Sequence, residues 1–60
     1  MLYLFQIFFI NGKAIQLWGE NLETYDGDIY ISLEGETVAK FKLNNIAGYV
    51  LAGEQEHEDD

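Results

Sequence analysis

The chain has no cysteine, no proline and no arginine. Without cysteine, neither a disulfide nor a thiolate metal site can form. A single histidine, His57, excludes a histidine-rich zinc site. The only basic residues are Lys13, Lys40 and Lys42, set against eleven Asp and Glu, for a net charge of −8. Phosphate backbones are held by clustered Lys and Arg, so nucleic acid is not an expected partner. Residues 1–10 are almost wholly apolar, yet the run is about half the length of a spanning helix. Met1 to Leu4 carry no basic side chain, as the start of a signal peptide would. The expectation is a cytoplasmic protein with no membrane partner.

Catalytic chemistry is equally sparse. General acid–base work needs positioned carboxylates or a histidine in a cleft. Here the carboxylates fall in turns and at the C-terminal end. Ser32 has no base near it in the pattern, and Thr24 and Thr37 read as ordinary strand residues. Glu20, Glu23, Asp26 and Asp28 do not follow a calcium-loop spacing, so they read as a solvated acidic segment. His57, between Glu56 and Glu58, reads as an exposed side chain. A chain of sixty residues leaves little room for a substrate cavity. No enzyme, cofactor or metal is expected.

What is present is β-structure. Asn11-Gly12, Asp26-Gly27 and Glu34-Gly35 each separate runs rich in Ile, Val, Leu, Tyr, Phe and Thr. Asn-Gly and Asp-Gly supply the positive φ angles of two-residue hairpin turns. The pattern predicts strands near 2–10, 13–18, 21–25, 28–33, 37–43 and 48–51. A two-residue turn at Asn11-Gly12 pairs Ile10 with Lys13, Phe8 with Ile15 and Phe5 with Trp18. One at Asp26-Gly27 pairs Thr24 with Ile29 and Leu22 with Ile31. Ala39, Phe41 and Leu43 alternate with Lys40 and Lys42, the mark of a sheet with one wet face. The expected fold is all-β: one antiparallel meander of six short strands, residues 1–51, curled into a small barrel. Residues 52–60 hold five of the eleven acids and read as a flexible tail.

The first strand breaks the alternation. Leu2, Leu4, Phe8 and Ile10 share one side with Gln6. Tyr3, Phe5, Ile7 and Phe9 share the other, and the expected hairpin register adds Trp18 to it. One side must be core. The other is an apolar stripe expected to approach or exceed the roughly 300–600 Å² patch a monomer tolerates. Either later strands of the same chain close over Tyr3, Phe5, Ile7, Phe9 and Trp18, or those residues form a protein interface. Small domains without disulfides or metals depend on partner subunits more than larger ones do. The interface reading therefore leads, with a homo-oligomer as the expected state. The acidic charge has two readings as well: mimicry of nucleic acid towards a basic protein, or solubility for a sticky chain.

Gly27-Asp28-Ile29-Tyr30-Ile31, Glu34-Gly35-Glu36-Thr37-Val38-Ala39-Lys40-Phe41 and Leu43-Asn44-Asn45-Ile46-Ala47-Gly48-Tyr49-Val50 together resemble very short phage and prophage proteins that fold as SH3-like small barrels. The resemblance spans about half the chain, and its motifs are structural rather than catalytic. It implies an SH3-like barrel, a phage or bacterial origin, and action on a host protein, antiviral defence components included. The leading expectation is a non-enzymatic protein-binding module that inhibits a host factor in the host cytoplasm. The alternatives are a structural or assembly component of a phage particle, and a small-ligand binder at an oligomer interface.

Overall fold

The computed structural model describes residues 1–56. Among them the chain forms six strands: β1 (Leu2–Phe9), β2 (Ala14–Gly19), β3 (Asn21–Tyr25), β4 (Asp28–Leu33), β5 (Glu36–Lys42) and β6 (Ile46–Gln55). A single 3₁₀ turn at Leu43–Asn45 links β5 to β6. The strands make two three-stranded antiparallel sheets, ordered β2-β1-β6 and β3-β4-β5. The fold is therefore all-β, but not a simple meander, because β6 returns to pair with β1.

Turn chemistry explains the second sheet. Asp26 and Gly27 have φ of 52° and 80°, and Glu34 and Gly35 have φ of 55° and 81°. Two consecutive positive angles are what a type I′ hairpin requires. The expected pairs Thr24–Ile29 and Leu22–Ile31 form. Glu34 gains support from outside its own turn, since its N–H donates to Glu20 Oε1 at 2.7 Å.

The first hairpin differs from expectation by one residue. The Gly12 N–H donates to the Phe9 carbonyl, and the Phe9 N–H donates to the Lys13 carbonyl. Ile10 thus joins Asn11 and Gly12 in a three-residue loop, with Gly12 at φ 90°. This is the alternative hairpin that a glycine in the left-handed region also permits. Asn11 Oδ1 accepts from the Lys13 N–H at 3.0 Å and stiffens the loop. The register becomes Phe8–Ala14, Phe5–Leu17 and Leu4–Trp18. A slip of one residue turns every side chain of a strand to the other face. Trp18 accordingly leaves the face of Phe5 and joins that of Leu4.

The two sheets are connected covalently at a bend. β2 runs into β3 through Glu20 alone, whose N–H donates to the Ser32 carbonyl at 2.7 Å. Gly19 sits at this bend. A Cβ placed on it would lie 2.5 Å from Ile31 Cγ2, 3.2 Å from the Ser32 carbonyl oxygen and 3.4 Å from Phe5 Cε2. Only a residue without a side chain lets the sheets approach there. At the other end, the Leu43 N–H donates to the Gly27 carbonyl and the Ile10 N–H to the Asn45 carbonyl. These bonds tie the 3₁₀ turn to both sheets.

The core lies between the sheets and is small. Ile7, Ile29 and Ile31 have no exposed surface, and Phe5 is 7% exposed. Phe5, Ile7 and Ile31 form its centre, with Tyr3, Phe9, Leu17, Leu22 and Phe41 among the half-buried residues around it. Phe9 and Phe41 meet edge to face across the sheets, 5.5 Å between centroids and 74° between planes. Each fully buried side chain of this size contributes roughly 1.5–3 kcal/mol. β6 also runs further than expected. Gly53, Glu54 and Gln55 pair with Leu4, Tyr3 and Leu2, so the strand occupies most of what read as the start of a tail. His57 lies outside the described residues.

Candidate functional site

The four residues Tyr3, Phe5, Ile7 and Phe9, expected to form an interface, face the second sheet. Phe5 and Ile7 are buried there, with Tyr3 and Phe9 packed against them. That side of β1 is the domain core. Trp18, the fifth expected residue, is separated from them by the hairpin register and remains 43% exposed.

The opposite, outward side of β1 now carries the anomaly. Pairing across the first sheet sets four rows on this face: Leu2–Gln55, Trp18–Leu4–Gly53, Gln16–Gln6–Val50 and Ala14–Phe8–Gly48. Phe8 and Val50 are exposed on the same face as Trp18, Phe8 two rows along and Val50 on the far strand. Phe8 stands between alanine and glycine, so nothing on its own face flanks it. Antiparallel sheets normally turn polar side chains to water on such a face. Here only Gln6, Gln16 and Gln55 do so, and the rows of Leu4 and Phe8 on either side of the Gln6–Gln16 pair are apolar.

Charge is segregated in the same way. Residues 1–19 and 37–53 contain no Asp or Glu. The first sheet is therefore free of acids until Glu54. Six acids lie between residues 20 and 36, in the second sheet and its turns. Asp28 is partly offset by Lys40, whose Nζ lies 3.8 Å from Asp28 Oδ2 and 5.7 Å from the Tyr30 ring centre. Such an exposed pair contributes at most about 1 kcal/mol. Among the described residues, no group of three or more His, Cys, Asp or Glu could hold a metal ion. No helix among them is long and apolar enough to cross a membrane.

Two depressions flank this arrangement. A cleft of about 630 Å³ opens between the tip of the first hairpin and the end of β5, lined by Phe9, Phe41, Lys40, Lys42, Asn11 and Asn45. It is larger than the composition led one to expect. Two of the three lysines line it together with Phe9 and Phe41, with Lys40 also paired to Asp28. A smaller hollow of about 250 Å³ lies at the other end, where Trp18, Leu2 and Leu33 meet Glu20 and Glu34. An apolar floor with an acidic rim suits an apolar side chain next to a basic one.

Sequence reasoning found Trp18 but missed Phe8 and Val50, because it assigned the faces of β1 the wrong way round. No protein-family model, curated protein or solved structure matches the chain.

Proposed function

We propose that this chain is a non-enzymatic protein-binding module on an SH3-like small barrel, a phage-encoded modulator of a host protein that acts in the host cytoplasm as a homo-oligomer. The strand order supports the barrel reading: a bent strand, β2–β3, crosses between two three-stranded sheets, and a 3₁₀ turn leads to a strand that pairs with the first. The resemblance of residues 27–50 to short phage proteins supports the origin and the host target.

The observation that carries the binding reading is the outward face of the first sheet, where Trp18, Phe8 and Val50 are exposed on one acid-free face. Tryptophan is among the residues that most often anchor protein interfaces. The hollow beside Trp18, rimmed by Glu20 and Glu34, gives the partner a chemistry: an apolar contact bordered by Lys or Arg. The acidic second sheet would speed encounter with such a partner at low salt.

The test is capture from bacterial lysate by the immobilised wild-type chain and by Trp18→Ser and Phe8→Ser. A host protein retained by the wild type should be lost, or weakened at least tenfold, with either variant while the circular dichroism spectrum is unchanged. Equal retention by all three would refute the assignment of this face.

A second reading, the small-ligand binder, rests on the cleft between Lys40, Lys42, Phe9 and Phe41. It calls for an organic anion. A melting-temperature rise with such a compound, abolished in Lys40→Ala/Lys42→Ala, would favour it over the first.

A further inference from the structure

Four strands border the sheets, and the sequence protects them unequally. β5 carries Glu36, Lys40 and Lys42 and has a register shift opposite Ile31 and Ser32. β3 carries Glu23. Charges and bulges of this kind blunt an open edge. β2 is uncharged but only six residues long, and it ends at the bend. β6 is ten residues long and has no charged side chain before Glu54; its two register shifts against β1 fall at Ala47 and Ala52 and leave Gly48–Leu51 between them as a regular, uncharged stretch. Among the described residues only β1 pairs with it, so its other edge is open. Tyr49, Val50 and Leu51 are each about half exposed. Consecutive strand residues point to opposite faces, so this stretch is open to water above, below and along its edge.

We infer that the open edge of β6 pairs antiparallel with β6 of a second copy of this chain, about a twofold axis at Val50, giving a six-stranded sheet β2-β1-β6-β6-β1-β2. This rests on the protein-binding reading and assigns its self-association to a strand edge rather than to the Trp18 face. Three observations select a second copy as occupant. The first is charge. Two chains of −8 can approach closely only through acid-free surface, and residues 37–53 contain no acid. Pairing through β6 joins the two neutral sheets and leaves the acidic ones on the flanks.

The second is direction. A parallel pair would set Glu54 beside Glu54, whereas an antiparallel pair centred on Val50 keeps the two Glu54 side chains at opposite ends and centres the contact on the regular stretch Gly48–Leu51. The third is symmetry. In an antiparallel twofold pair, hydrogen-bonded and non-hydrogen-bonded rungs alternate, so the axis must pass through a residue that faces its own copy. Val50 in that place brings Tyr49 of each chain opposite Leu51 of the other. The pair closes on itself and uses up both edges.

The test uses the intact chain with Val50→Lys, Val50→Glu and Val50→Thr, read by sedimentation. The wild type and Val50→Thr should run at twice the 6.9 kDa chain mass at micromolar concentration. Val50→Lys and Val50→Glu, each setting like charges face to face, should run as folded monomers by circular dichroism. Mixing the two should restore the doubled mass, because Lys then faces Glu. A monomeric wild type, a Val50→Lys chain that stays dimeric, or a mixture that stays monomeric would each overturn the pairing. So would open-ended growth, the signature of β6 adding to the β2 edge of the next copy. The Trp18 capture experiment separates the two readings: a monomeric wild type that still shows Trp18-dependent capture would reject this pairing and keep the binding reading.

Discussion

Gly19→Val should abolish the folded state at room temperature, and Gly19→Ala should lower its stability by about 1–3 kcal/mol, the usual cost of forcing atoms into a filled core. The reason is local and geometric. A Cβ at Gly19 meets Ile31 Cγ2 at 2.5 Å. Ile31 is fully buried and lies at the centre of the core. Its branched side chain is stiff at χ1 and packs in one cluster with Phe5 and Ile7. The Ser32 carbonyl oxygen at 3.2 Å belongs to backbone that also accepts the Glu20 N–H. Relief by moving that backbone would break the hydrogen bond that holds the bend. A domain of this length has only about 3–9 kcal/mol of net stability, so the larger side chain removes most or all of it. Urea unfolding followed by circular dichroism checks this. A midpoint for Gly19→Ala within error of the wild type would mean that the sheets do not approach here.

Phe5→Ser should cost at least about 3 kcal/mol, the lower range for deleting a buried aromatic. Trp18→Ser should cost about 1 kcal/mol or less, as expected of a position that is largely surface. The two residues looked equivalent in the sequence, both aromatic and on one expected face. In the structure Phe5 is 7% exposed and Trp18 43%. The contrast therefore tests the hairpin register itself. Under the two-residue turn, both substitutions would spare the fold and dissolve an assembly. Under the observed loop, Phe5→Ser unfolds the domain and Trp18→Ser leaves it intact. Parallel denaturation curves separate the two outcomes, and equal costs at both positions would contradict the register.

Particular residues show where the sequence was legible. Asp26-Gly27 set both the turn and the pairing of β3 with β4, because two consecutive left-handed residues leave one favoured hairpin. Glu34-Gly35 behaved in the same way. Asn11-Gly12 was ambiguous, since its glycine suits either a two-residue turn or the third position of a longer loop. Ile10, apolar and β-branched, gave no sign that it would leave the strand. That single residue moved Trp18 from the face of Phe5 to that of Leu4, while the second sheet, packed over Phe5 and Ile7, left Leu4, Phe8 and Trp18 on the outward face. The extent of β6 was hidden for another reason. Gly53, Glu54 and Gln55 have the composition of a tail, but pairing with β1 is made by backbone groups and does not require apolar side chains. Val50 read as an ordinary strand residue, and only the topology shows that it lies on an open edge.

The return of β6 to β1 also has a kinetic meaning. β1 is the central strand of its sheet, yet its two neighbours are made at very different times. β2 follows it at once through a three-residue loop, while Leu2 finds its partner only in Gln55. The hairpins can close locally and fast, but the most apolar strand of the chain stays half-paired until residues 46–55 have been synthesised. Pairings of such long sequence separation are slow to form and leave strands open to misassociation meanwhile. Stalled or shortened chains lacking β6 should therefore aggregate through β1. The amides of residues 46–55 should be the last to gain protection from hydrogen exchange as the full chain refolds.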